Sequence, residues 1–120
     1  MGLTHVTVTL KNLGVAGGAY EADFLVDTGA TDSLAPGVEL KKIGVQPIGK
    51  MVYELADGTI HEYEFGLLQI EFVGELTAGR VIFGSDDAAP LLGVIALESV
   101  GITVDPANRT LQRLPAIPLK

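Results

Sequence analysis

Residues 24–32 read "FLVDTGATD". Three apolar residues lead into Asp27, Thr28 and Gly29, and the small Ala30 follows. Taken alone, Asp-Thr-Gly is an ordinary turn sequence, because an Asp side chain bonds back to the backbone and Gly accepts positive φ. The setting here differs from a loose loop tip. Asp27 stands at the end of a buried strand, and Ala30 leaves room for something to approach. The reading of the chain turns on whether Asp27 closes a bare turn or supplies half of a site.

The segments on either side point to short strands. From Ala19 to Val26, Tyr20, Ala22, Phe24 and Val26 share one face, while Glu21 and Asp23 take the other. Upstream, "THVTVTL" (4–10) alternates in the same way, with Val6, Val8 and Leu10 together. "KNLGVAGG" supplies turn residues between them, so the two runs form a hairpin that feeds into Asp27. Downstream, "APGVELKKIG" reads as a short helix with Pro36 near its first turn, Lys41 and Lys42 in its last, and Gly44 ending it. "KMVYEL" and "TIHEYEFGLLQIEF" flank "ADGT", which makes 50–72 a long hairpin with its tip near Asp57 and Gly58.

The remainder follows the same pattern. "RVIF" is a further short strand, followed by the loop "GSDDAAP". "LLGVIALESVG" is an apolar strand end running into a short helix stopped by Gly101, and "ITVD", "PANR" and "TLQRL" make a last hairpin. With no linker or low-complexity segment, residues 1–120 are expected to form one domain, a small mostly-β barrel or sandwich with one or two short helices.

Composition narrows the function classes. Hydrophobic residues make up 48% and charged residues 19%, which excludes a disordered chain. The absence of cysteine removes disulfides, thiolate metal sites and cysteine nucleophiles, and fits a reducing compartment. A net charge of −7 without any basic cluster argues against nucleic acid or an anionic membrane as partner. "MGLTHV" lacks the layout of a signal peptide, and Val6 sits where myristoylation wants Ser or Thr. The longest apolar stretch, Leu91 to Leu97, is too short to span a bilayer. A soluble, cytoplasmic protein is expected.

Other constellations take duller readings. His5 and His61 are isolated and read as surface or partly buried histidines rather than metal ligands. Asp86 and Asp87 lack a calcium-loop pattern and read as a solvated turn. "GVAGG" lacks the Lys-Ser/Thr ending of a phosphate loop, and no Gly-x-Ser-x-Gly is present. Tyr53, Tyr63 and Phe65 read as packing residues of the long hairpin. No metal and no cofactor is expected.

About 60 residues after Asp27 comes "PLLG", two apolar residues and a Gly entering a helix. Together with "FLVDTGA" and the hairpin "YELADGTIHEY", the stretch "PLLGVIALESVGITVDPANRTLQRL" resembles the retropepsin-like aspartic proteases in residue type, order and spacing, over roughly residues 5–114. The pattern is nearest to the single-domain bacterial members. The resemblance implies a retropepsin-like closed β-barrel or sandwich with a flap hairpin, one lobe per chain.

It also implies a chemistry. In such proteases one carboxylate takes a proton from water while a second, protonated, polarises the scissile carbonyl. This chain has one Asp-Thr-Gly, and Asp57 in "ADGT" and Asp105 in "VDPA" lack the frame. At 120 residues it has no room for a second lobe. The resemblance therefore implies a homodimer with Asp27 of each copy meeting on the two-fold axis.

By the same resemblance, Asp27 is the catalytic carboxylate and Thr28 hydrogen-bonds across the axis. Gly29 lets the backbone lie beside a peptide. Ala30, Thr31 and Asp32 contact substrate, and Ala56, Asp57, Gly58 and Thr59 form the flap tip. Leu91, Leu92 and Gly93 support the catalytic loop from behind. Two departures stand out. The flap carries one glycine where retroviral members are glycine-rich, and Pro115 and Pro118 cannot donate to the terminal sheet of the viral dimers. "THVTVTL" is the candidate to pair in its place. The expected partner is a peptide or protein substrate, and the expected activity is that of an aspartic endopeptidase. The alternative is a catalytically inactive dimerisation or peptide-binding module with the same fold.

Overall fold

The computed structural model of the chain describes residues 4–14, 17–105 and 107–119. Met1–Leu3, part of the "GVAGG" stretch and Pro106 of the last turn lie outside the described residues, as does Lys120. Among the described residues, nine strands and two helices of six residues each make the protein mostly β.

The first hairpin forms as its alternation predicts. β1 (His5–Asn12) runs antiparallel to β2 (Ala19–Val26), with Val6 opposite Phe24 and Val8 opposite Ala22. Val8, Leu10 and Phe24 are completely buried. Each such side chain contributes about 1.5–3 kcal/mol on leaving water. A one-residue slip would turn all three outward, so burial fixes the register and with it the point where Asp27 emerges.

The loop after Asp27 enters β3 (Ser33–Pro36), which sequence alternation does not reveal. Four residues, buried at Ser33, Ala35 and Pro36, give no polar face from which a period could be read. α1 (Gly37–Lys42) follows directly, with Pro36 at its N-cap, Glu39 in the first turn and Lys41 and Lys42 in the last, which suits the helix dipole. Gly44, at φ 85°, ends it as expected.

β4 (Gly49–Glu54) and β5 (Ile60–Phe72) form the long hairpin, Gly49 opposite Phe65 and Glu54 opposite Ile60. β5 then turns at Val73 and Gly74, both with positive φ, into β6 (Glu75–Gly84). This strand is far longer than the "RVIF" expected. Its first half, "ELTAG", is poor in strand formers and is held by its ladder to β5. β7 (Leu91–Leu92), α2 (Val94–Ser99) and the closing hairpin β8 (Ile102–Asp105) and β9 (Thr110–Arg113) match the sequence reading. Gly101 stops α2 at φ 70°.

Seven strands form one sheet in the order β1-β2-β7-β3-β6-β5-β4, and β1 also pairs with β5. The hydrogen bonding thus returns to its starting strand, and β4 alone hangs beyond the circuit. β1 gives His5–Lys11 to β2 and Val8–Asn12 to β5, so the strand expected to pair with a second copy is occupied within its own chain on both edges over Val8–Lys11. Pro115 and Pro118 lie in an exposed segment outside any strand. One apolar cluster, including Leu10, Phe24, Leu40, Leu68, Val81 and Leu97, fills the interior. No helix among the described residues is long and apolar enough to cross a membrane.

Candidate active site

β7 is short, but it decides the site. It lies between β2 and β3, parallel to β2 at Leu25–Leu91 and Val26–Leu92, and antiparallel to β3 at Leu34–Leu91. The loop from Asp27 to Asp32 must therefore pass over the end of β7. The backbone N–H of Asp27 donates to the Leu92 carbonyl at 3.0 Å, which anchors the residue at the strand end.

From there the loop folds on itself. The Gly29 N–H donates to Asp27 Oδ1 at 2.9 Å, and the Ala30 N–H to the Asp27 carbonyl at 3.1 Å. This is the local Asp turn that the tripeptide favours by itself. The next contacts are long-range. The N–H groups of Val94 and Ile95, at the start of α2, donate to the carbonyls of Ala30 (2.8 Å) and Thr31 (3.2 Å). α2 has no side-chain cap, so the loop's own carbonyls satisfy its first free donors. The Gly93 N–H donates to Ser33 Oγ at 3.0 Å, across 60 residues of sequence. A short helix and a short loop thereby brace each other, with Leu92 and Gly93 against the loop and Leu91 facing the cavity.

Asp27 is partly exposed and opens onto a cavity of about 380 Å³. Gly29, Ala30, Thr31 and Asp32 line it from the loop, and Leu34, Ile82 and Leu91 line it from the sheet. Tyr53, Glu54, Leu55, Ala56 and Tyr63 line it from the β4–β5 hairpin. A volume of this size is in the range of ligand sites. Asp27 by itself can act as acid or as base at a given moment, not as both.

Residues expected at the site divide into two groups. Asp27, Gly29, Ala30, Thr31, Asp32 and Ala56 come together around the cavity. Thr28 is exposed on the loop, outside the lining, as are Asp57, Gly58 and Thr59 at the hairpin tip. The tip is self-contained: Asp57 Oδ1 accepts from the Thr59 hydroxyl at 2.7 Å and from its N–H at 3.0 Å. These bonds, the hydroxyl first, hold the Asp57 carboxyl below its ordinary value. Gly58 carries the turn at φ 87°.

Asp32 is the surprise of the site. It is buried, and its Oδ2 accepts from the Tyr53 hydroxyl at 2.6 Å and lies 3.2 Å from Arg80 Nε. Burial and then the Asp32 bond push the Tyr53 phenol far above the usual tyrosine range, against a smaller opposing effect of Arg80. The Arg80 guanidinium sits 5.3 Å over the Phe65 ring.

Tyr53 and Tyr63, packing residues of the hairpin by sequence, also line the cavity together with Leu55. Strand alternation places Tyr53 and Leu55 on one face and Tyr63 diagonally across on its partner, with the two tyrosine rings 6.2 Å apart. That pattern was legible; what the face looks onto was not. His5 and His61 are both exposed.

No family model matches the chain, and no curated protein matches it. Among solved structures it is similar to a retropepsin-like aspartic protease from Rickettsia conorii, at 24% identity and a TM-score of 0.46, over 84% of each chain. A likeness of that strength says nothing of activity, and the chemistry rests on the residues themselves.

Proposed function

We propose that the chain is a homodimeric aspartic endopeptidase in which two Asp27 residues, one from each copy, activate a water molecule against a peptide bond. The observation that carries this reading is the placement of Asp27. It stands at the mouth of a cavity, on a loop braced by β7 and α2, beneath a hairpin that borders the same space. Two carboxylates in contact cannot both ionise easily, so the pair holds one proton and offers a base beside an acid. A single chain with one such Asp needs a second copy, and in an isologous interface a residue on the two-fold axis meets its own counterpart.

In this reading Thr28, exposed on the loop, meets its counterpart across the axis. Gly29 presents backbone to the peptide, Ala30 and Thr31 line its path, and Asp32 borders that path while its carboxylate is engaged inside the protein. The tip Ala56–Thr59 closes over the peptide and excludes water. The apolar walls Leu34, Ile82 and Leu91 suit an extended, apolar stretch of protein or peptide. The reaction needs no cofactor.

The experiment is cleavage of a peptide library from acidic to neutral pH by the chain and by Asp27→Asn. Loss of all cleavage in the variant, with a dimer in sedimentation, is the expected result. An inactive peptide-binding module would cleave nothing in either form, and its variant would retain peptide affinity.

A further inference from the structure

The β4–β5 hairpin hangs from the sheet in an unusual way. Among the described residues, β4 is the last strand of the order and pairs with β5 alone. Among the described residues, one side-chain hydrogen bond joins 49–59 to anything beyond that hairpin: the Tyr53 hydroxyl on Asp32 Oδ2, at 2.6 Å. Its acceptor is 3% exposed and shares the same oxygen with Arg80 Nε at 3.2 Å. Three elements meet there: the Asp27 loop, β4 and β6.

We propose that Asp32, Tyr53 and Arg80 form a catch that holds the hairpin at a set height over the Asp27 cavity and ties its position to the catalytic loop. The physical grounds are these. An edge strand with one partner is the part of a sheet that opens most readily. A single charge-assisted bond at a desolvated point is strong enough to bias such an opening. Arg80 orients the carboxylate and balances its charge, so the acceptor stays in place when the phenol leaves. Admission of a chain segment to the cavity requires the hairpin to lift, which breaks the Tyr53 bond; closure remakes it. Because Asp32 belongs to the same loop as Asp27, the closed hairpin also braces that loop. Tyr53 is thus a positioning residue. Its functional side rests on the endopeptidase reading above; its mechanical side does not.

The test is amide hydrogen exchange by mass spectrometry on the resting, full-length protein. Wild type is compared with Tyr53→Phe, which keeps the ring against Tyr63 and removes only the hydroxyl, and with Asp32→Asn. Exchange across 49–59 is expected to rise several-fold in Tyr53→Phe, with β1 and β2 unchanged, and Tyr53→Phe combined with Asp32→Asn is expected to add little to either single change. Unaltered exchange at 49–59, or a rise spread evenly over all strands, would overturn the catch. In parallel peptide-cleavage assays, the loosened hairpin is expected to raise KM more than it lowers kcat. Faster exchange in proteins that cleave nothing leaves the catch standing and removes the endopeptidase reading. Undisturbed exchange in proteins that do cleave has the opposite result.

Discussion

A Cβ placed on Gly93 would stand 2.5 Å from the carbonyl oxygen of Asp32 and 2.8 Å from that of Thr31. The end of β7 and the Asp27 loop therefore touch backbone to backbone, with no space for a side chain. This close approach lets the Gly93 N–H reach Ser33 and lets α2 use the loop's carbonyls as its cap.

Gly93→Ala should accordingly be a site-distorting substitution rather than a simple loss of flexibility. Overpacking of this kind costs about 1–3 kcal/mol, and here the obstructing atoms are backbone and cannot rotate away. The loop must shift. A displacement near 1 Å at reacting groups lowers rates by about 100-fold, so peptide cleavage should fall much more steeply than urea stability. Parallel urea titration and cleavage assays check the ratio; a variant equal to wild type in both would show that the contact yields.

Tyrosine ionisation offers a second check. The chain has three tyrosines. Burial, followed by Asp32, raises Tyr53, and burial, followed by the Glu39 charge, raises Tyr20. A phenol whose value is higher when folded favours the native state fully below its unfolded value of about 10, and that contribution is lost as pH climbs toward the folded value. Ultraviolet phenolate absorbance should show its latest step in wild type and lack it in Tyr53→Phe. The stability advantage of wild type over Tyr53→Phe should shrink on the alkaline side, as measured by urea unfolding. An unchanged latest step would mean that the phenol is not held by Asp32.

At the other end of the pH range the closing hairpin is the sensitive element. Asp105 accepts from the Asn108 side-chain amide at 2.8 Å, from the N–H of Ala107 at 3.0 Å and from Gln112 Nε2 at 3.3 Å. The Asn108 side-chain amide first, then the backbone N–H groups of Asn108 and Ala107, lower its carboxyl. A depressed carboxylate contributes above its unfolded value of about 4 and loses that contribution as pH falls through the folded value. Wild type should be more stable than Asp105→Asn at neutral pH, and the difference should disappear in strong acid. Thermal unfolding at stepped pH reads it directly; a difference that persists in acid would assign the effect to something other than ionisation.

Much of the architecture was written in short-range pattern. Alternation at 4–10 and 19–26 announced the first hairpin, "ADGT" announced the second, and Gly44 and Gly101 marked where two helices stop. These are local signals, set by which neighbours share a face and which residues accept positive φ, so they survive without knowledge of the rest of the chain. Asp27 at a strand end could be read in the same way.

Three features escaped, for one shared reason. β3 has no exposed face and pairs in parallel with β6, the first half of β6 borrows its extended form from β5, and Val73 adopts φ 46° although β-branched residues resist it. None of these is favoured by its own residues; each is imposed by pairing with another strand, β3 by β6 far along the chain, and the start of β6 and the Val73 turn by the neighbouring β5. Asp32 is the sharpest case. In the linear chain it looked like one more polar residue of an exposed loop, free to meet a substrate. The fold brings Tyr53 and Arg80 to it from two other strands and buries all but a sliver of its carboxylate. The order of residues placed an acid at the strand end, but long-range packing decided that Asp27 faces the cavity while Asp32 is turned inward, because only desolvation by remote elements can choose between two carboxylates of the same loop.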